Sequence, residues 1–321
     1  VYLTNYNKVV DQSFTGSDGS NNADGIPTYT TVQAAVNSVS STNTDRVVIL
    51  VKEGSYEENL QVTNPLIALI GEDSTKTHIF YNTKANVGGD MTKRCAVLVG
   101  QNATGFSAEN LTIENTYDYQ GTSKAGLNGN ESADALRNDA NNAEYINVRI
   151  LGYQDTLCAN QGTQTYKKCT IEGNVDFIYG NEPRAYFDDC QLVFRYNANK
   201  NSGYVCAPKT SASANYGLIF NNCEVTSESS CSGSKYYLAR PWGADASITW
   251  INCYLGKVLS GTSSNPYSDM SGNLASNARF YEYGSYGPGY AVNANRRQIS
   301  SAMAENLKAN LGWDPAGVSS S

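Results

Sequence analysis

Six segments of the chain share one pattern: one or two polar residues, then four or five residues in which β-branched or aliphatic side chains alternate with polar ones. They are ENLTIENT (109–116), INVRILGY (146–153), KKCTIEGN (167–174), DDCQLVFR (188–195), NNCEVTSE (221–228) and INCYLGKV (251–258). Asn147 to Lys168 and Lys168 to Asp189 are both 21 residues apart, and the other intervals run from about 30 to 37. Short alternating strands at a near-constant period, joined by Asn- and Gly-rich turns, describe a solenoid whose coils stack at roughly 4.8 Å. The longer intervals are coils carrying inserted loops. A β-sandwich would need hairpin turns every 8 to 12 residues or so, and Asn-Gly or Asp-Gly signals between these strands are few. The expected fold is therefore all-β, a right-handed parallel β-helix.

The ends read as helices that cap it. TYTTVQAAVNSV (28–39) places Val32, Ala35, Val36 and Val39 at helical spacing behind threonines suited to an N-cap. SAMAENLKANLGW (301–313) places Met303, Leu307 and Leu311 likewise and stops at Gly312. No linker interrupts the pattern, so residues 1–321 are expected to form one domain.

Hydrophobic residues at 40% are enough for a core, and no run of about 18 apolar residues is present to span a membrane. The net charge of -7 argues against a nucleic-acid partner, and an anionic polymer is repelled too unless basic residues gather locally. Three acceptor sequons begin at Asn102, Asn110 and Asn130. With sparse lysine and arginine they point to a secreted glycoprotein whose leader has been removed, acting as a monomer. The eight cysteines contain no CxxC pair and no zinc-like spacing, so no metal and no cofactor is expected. Cys169 and Cys190, again 21 apart, are the best candidates for a disulfide, because one coil brings them within bonding reach.

The same interval recurs in the chemistry. Gly152-Tyr-Gln-Asp and Gly173-Asn-Val-Asp carry Asp155 and Asp176, 21 residues apart. Either aspartate alone could close a turn. In a solenoid, however, they lie on adjacent rungs, and two carboxylates that close cannot both ionise cheaply. One keeps a proton and the other stays anionic, which makes a general acid beside a nucleophile. Arg240, in YYLARPWG (236–243), precedes a proline and could hold one aspartate ionised through a two-pronged contact. The one histidine, His78, has no GxSxG element to serve and reads as structural, so any hydrolysis falls to carboxylates.

These residues resemble the pectin methylesterases (pectinesterases). GSYEENL (54–60) is similar to their Gly-x-Tyr-x-Glu element at Gly54, Tyr56 and Glu58; GYQDTL (152–157) and DFIYG (176–180) to their two aspartate motifs; LARPW (238–242) to their arginine motif. The likeness runs from about residue 28 to the C-terminal helix. It implies a polysaccharide substrate, pectin, with Asp176 attacking the methyl-ester carbonyl of a galacturonate unit. Asp155 would protonate the departing methanol and then activate water, Gln154 would donate to the oxyanion, and Arg240 would hold Asp176 anionic. Phe177, Trp242 and Tyr153 would line the cleft and bind sugar together with Arg240, while Gly54, Tyr56 and Glu58 would be architectural.

The sequence departs from the family pattern in four places. Ser132, in SADALR, stands where a QAVAL element has an oxyanion glutamine, so Asn128, Asn130 or Gln154 would carry that load. CAPKT (206–210) replaces an arginine-containing segment, Tyr179 replaces a phenylalanine and Ala239 a glycine. Acidity and sequons together suggest a fungal member, an acidic pH optimum, salt-assisted activity and early release of the polyanionic product. A lyase or polygalacturonase on the same scaffold, or a non-catalytic carbohydrate-binding solenoid, stays open as an alternative.

Overall fold

The computed structural model describes residues 5–84, 94–119 and 131–309. Three sheets of 11, 8 and 7 strands run the length of the molecule. Every pairing between their strands is parallel, and sequential neighbours within a sheet come from successive coils (Tyr145 beside Tyr166 beside Phe187, Arg149 beside Thr170 beside Gln191). This is the right-handed parallel β-helix the repeats require.

The repeated polar residue has a geometric cause. Between the first and second sheets each coil turns on a two-residue corner. The first corner residue has a left-handed backbone at Asn110, Asn147, Lys168, Asp189, Asn222 and Asn252, with φ between 50 and 56°. Asparagine and aspartate tolerate that region better than most side chains. The second corner residue points inward and is buried: Leu111, Val148, Cys169, Cys190, Cys223 and Cys253. Each of the four cysteines directs its thiol at a backbone carbonyl of the coil before it, at 3.3 to 3.5 Å.

The core is filled by like stacking on like. Tyr145, Tyr166, Phe187, Phe220 and Trp250 form a column of parallel rings with centroids 4.2 to 4.8 Å apart, one ring per coil. At these separations the rings contribute about 0.5–1.5 kcal/mol per pair beyond the burial of their area. The column therefore stabilises the stacking of successive coils, whether or not a loop is inserted between them.

One correction concerns the thiols. All eight cysteines are free and buried, so Cys169 and Cys190 are not joined. They do stack on adjacent rungs, as the interval demands, but as core side chains, where free cysteine packs as a small hydrophobe.

At the N-terminal end, helix α1 (Val32–Asn37) buries Val32, Ala35 and Val36 in the main core. Thr31 caps it, accepting from Ala34 N at 3.1 Å. Glu58 completes the cap, its two carboxylate oxygens taking the N–H groups of Val32 and Gln33 at 2.9 and 2.8 Å. Tyr56 is buried and donates its hydroxyl to Lys52 O. Helix α2 (Ser301–Ala309) is placed differently from the expected cap. It lies on the outward side of the first sheet, with Ala304 buried against Tyr186, Ile219 and Ile251 and with Leu307 beside them, while Met303 is exposed. The rest of that expected helix, Leu311 and Gly312 included, falls outside the described residues, as does the sequon at Asn130.

Candidate active site

The site sits where the chain enters the third sheet. Leu157–Ala159 pairs with Ile178–Gly180, Leu157 opposite Ile178. Two residues before each of these partners stand Asp155 and Asp176, so they occupy adjacent rungs. Both have left-handed backbones, φ 62° and 50°. That strain turns the carboxyl groups out of the strand direction, and it fits the general concentration of such conformations at functional sites. Gly173, which opens the second cassette, is there for close approach. A Cβ on Gly173 would come within 2.6 Å of both Thr156 Oγ1 and Tyr153 O in the coil below. Only glycine lets the two cassettes nest.

Arg240 follows the strand Tyr236–Ala239 and reaches back to Asp176. Its Nε donates to Asp176 Oδ1 at 2.8 Å and its Nη2 to Oδ2 at 2.7 Å. The guanidinium lies 4.0 Å from the centre of the Tyr204 ring. Burial works against the arginine's charge, but the hydrogen bonds to Asp176 outweigh it and keep Arg240 protonated above its ordinary value. Asp155 has no such partner. Burial, then the charge of Asp176, then that of Asp134 push its carboxyl well above the carboxylate range. It still shows part of its surface to the cleft. One aspartate is thus clamped as an anion beside another that keeps its proton.

A third acid completes the column. Leu136 pairs with Leu157 just as Leu157 pairs with Ile178, and Asp134 lies two residues before Leu136. Asp134, Asp155 and Asp176 are successive rungs. Asp134 is buried, and the Tyr179 hydroxyl is 3.0 and 2.8 Å from its two carboxyl oxygens. Burial raises its pKa to about 7 even though Tyr179 and Arg137 favour its charge. The Ser132 hydroxyl lies beside both Asp134 and Asp155 and favours the charged form of whichever it donates to. Sequence reading missed Asp134, although the 21-residue count that links Asp155 to Asp176 also links Asp134 to Asp155.

Beside the column is a hollow of about 250 Å³ that Gln154, Arg240, Tyr119, Asn197 and Lys200 help to line. Gln154 is half-buried there, its amide available to a ligand. Exposed Lys200 and half-buried Arg240 bring positive charge to the hollow, which Glu131 also lines. Wider hollows of about 560 and 410 Å³ lie around Gln161, Glu182, Thr210 and Ser211, and no rung of the aspartate column lines either. Trp242 stands half-buried, its ring 6.0 Å edge-to-face from Tyr179 and 5.4 Å below the Lys209 ammonium. The Tyr153 ring stacks on Tyr119 at 5.7 Å and carries the Arg195 guanidinium 4.9 Å from its centre. Phe177 is not a cleft residue. It is fully buried and packs edge-on against Phe194 at 5.5 Å, because the turn that directs Asp176 outward directs the next side chain into the core. His78 is remote from the site, on the second sheet, 2.8 Å from Glu114 and stacked on Phe80.

A sequence profile of the pectinesterase family matches residues 20–310. The chain belongs to the pectinesterase family. It is 32% identical over 313 residues to pectinesterase 2 of Citrus sinensis, covering 91% of this chain and 58% of that protein. It is 32% identical over 335 residues to pectinesterase A of Dickeya chrysanthemi, covering 94% of this chain and 88% of that one. A probable pectinesterase/pectinesterase inhibitor of Arabidopsis thaliana is 34% identical, but the matched region is only 46% of its length. The chain thus spans about half the length of these two plant relatives. Its fold matches that of a pectin methylesterase mutant solved in complex with a hexasaccharide, with a TM-score of 0.81, 29% identity, and 97% and 99% of the two chains covered. The pectin methylesterase of Erwinia chrysanthemi gives the same TM-score and coverage.

Proposed function

We propose that this pectinesterase-family chain hydrolyses the methyl esters of pectin, with Asp176 as nucleophile and Asp155 as general acid and base. The observation that carries the reading is the pairing of an arginine-clamped Asp176 with a proton-holding Asp155 on the next rung. An Asp176 oxygen attacks the ester carbonyl carbon, and the carbonyl π electrons move to oxygen. The Gln154 amide, facing the hollow, is placed to donate to that oxyanion. As the tetrahedral adduct collapses, the C–O bond to the methoxy group breaks and Asp155 gives its proton to the leaving oxygen, releasing methanol. The product is an anhydride between the galacturonate carboxyl and Asp176. Asp155, now a carboxylate, takes a proton from water as the water oxygen attacks. Collapse returns Asp176 to its carboxylate form and frees the acid.

Trp242 is proposed as the aromatic platform for a sugar ring, with Tyr153 and Tyr119 forming the opposite wall. Lys200 and Arg240 are proposed to offset the repulsion between an acidic enzyme and a polyanion. Secretion, a monomeric state and a single domain remain the reading of the whole chain. They are supported by the acidic composition, by one core cluster that runs from Val10 to Phe280, and by the lack, among the described residues, of a helix long and apolar enough to cross a membrane. Of the sequons, Asn102 is exposed but uses its amide nitrogen on Ser41 O and Thr63 O, while Asn110 is part of a coil corner and accepts from Asn147.

The test is methanol release from highly methylated pectin, followed together with unsaturated and reducing ends. Wild-type protein is expected to release methanol alone, and Asp176→Asn to lose at least about a thousandfold in kcat. Unsaturated or reducing ends without methanol would replace this reading with a lyase or a glycosidase. Unchanged methanol release by the variant would remove Asp176 from the chemistry.

A further inference from the structure

The aspartate column has one more rung than two-carboxylate ester hydrolysis uses. Asp134 is buried, in register with Asp155, and shared between the Tyr179 hydroxyl and Ser132. We propose that Asp134 is a positioning residue for the reaction, acting through Ser132 to keep the Asp155 carboxyl in its acid form in the resting enzyme. The inference rests on the esterase reading above and assigns to that site a third carboxylate.

The argument begins with hydrogen-bond supply. Ser132 has a single hydroxyl proton. It can satisfy two carboxyl groups at once only if it donates to one and accepts from the other. Tyr179 donates as well, and both of its short contacts end on Asp134, so once Asp134 ionises it is the anionic partner of Ser132 and Asp155 is the protonated one. With Asp134 ionised, the proposed chain runs from the Asp155 O–H to Ser132, from Ser132 to Asp134, and from Tyr179 to Asp134. It stabilises the neutral acid at one end and the anion at the other.

Electrostatics runs the same way. Asp134 faces Arg137, Arg94, Tyr179, Cys95 and Cys158. Arg137 already has a carboxylate of its own, Asp139, at 3.0 Å. Asp155 faces Asp176, Asp134 and Arg240. Asp134 gives up its proton near neutrality. Its charge therefore appears beside Asp155 as the pH passes neutrality, and a like charge favours the neutral form. The pair titrates together, so the consequence is read in the enzyme's macroscopic pH profile.

The experiment is the pH dependence of kcat/KM for methanol release, whose alkaline limb reports the free enzyme's essential acid. Asp134→Asn keeps the shape and the acceptor for Tyr179 and removes the charge. Its alkaline limb is expected to fall at a pH about one unit lower than in wild type, while the rate at the acidic end stays within about tenfold. Tyr179→Phe removes the donor that stabilises the Asp134 anion and is expected to shift the limb in the same direction by less. This variant decides the matter if Asp134→Asn fails to fold. Limbs that stay in place, or that move to higher pH, overturn the proposal, as does an equal loss of rate at every pH. A wild type that releases no methanol overturns the esterase reading and this inference with it. A wild type that does, with both variant limbs unmoved, overturns the inference alone.

Discussion

Arg240 holds Asp176 by both carboxylate oxygens, at 2.8 and 2.7 Å, from a position 64 residues further along the chain. The contact needs a planar fork, and the guanidinium is further fixed over the Tyr204 ring. A lysine has the charge but only a point donor, and it would lose the stacking. Arg240→Lys is therefore expected to lower kcat by about a hundredfold, and Arg240→Ala by about a thousandfold, in a methanol-release assay. A lysine variant within about threefold of wild type would mean that the fork does not set the state of Asp176.

How this contact could be anticipated, and how others could not, follows from what periodicity encodes. A 21-residue interval fixes which residues stack on adjacent rungs, so Asp155 beside Asp176 was legible from counting alone. The same count reaches Asp134. Nothing in the sequence marks it, because SADALR carries no glycine cassette, and its acid sits at the start of a strand, not in a turn. Direction is a different matter. Phe177 follows Asp176 directly, and no sequence pattern says that a left-handed aspartate sends the following ring into the core. The cysteines show the same limit. Spacing placed Cys169 beside Cys190, but whether two stacked thiols bond depends on where they point, and here they point at carbonyls. Helix α2 was legible as a helix. Its burial through Ala304, rather than Met303, depends on which outward residues of the first sheet it meets.

The thiols make a direct check. With all eight cysteines free and buried, Ellman titration of the native protein is expected to detect almost none, and titration in guanidinium to detect eight per chain. Burial pushes the Cys158, Cys190 and Cys253 thiols well above their ordinary range, which slows attack on any reagent that needs a thiolate. A count of six in denaturant would show that one pair had oxidised.

Away from the site, Glu282 and Arg296 form an ion pair with both side chains fully buried. Arg296 donates from Nε and Nη2 to the two carboxylate oxygens, and its Nη1 satisfies Ser263 O and Gly289 O at 2.8 Å. Tyr267 adds its hydroxyl to Glu282 at 3.1 Å. These bonds tie the segment around Arg296 to the last strand of the first sheet, Arg279–Tyr283. Arg296→Ala leaves an unpaired buried carboxylate and several bare carbonyls, and it is expected to cost about 3–5 kcal/mol. Thermal unfolding should register the loss, while kcat at temperatures where the variant is folded stays near wild type. A variant as stable as wild type would show that water replaces the arginine at no cost.

The raised pKa of Asp134 makes a prediction about stability whose sign can be worked out. In the unfolded chain this carboxyl ionises near 3.8, whereas in the folded protein burial holds its proton until about pH 7. Between those values the native state binds more protons than the unfolded one, so this group's contribution to stability falls as pH rises. Below about pH 4 the group is protonated in both states, and nothing is lost. Above about pH 7 the full cost of a buried charge is present. Asp134→Asn removes the titration and leaves any packing change common to both ends of the range. The melting temperature of the variant minus that of wild type is therefore expected to be more positive at pH 8 than at pH 4, by at least about 2 °C for a chain of this size. If the difference is flat across that range, Asp134 titrates as an ordinary carboxylate, and the site has traded no stability for its third acid.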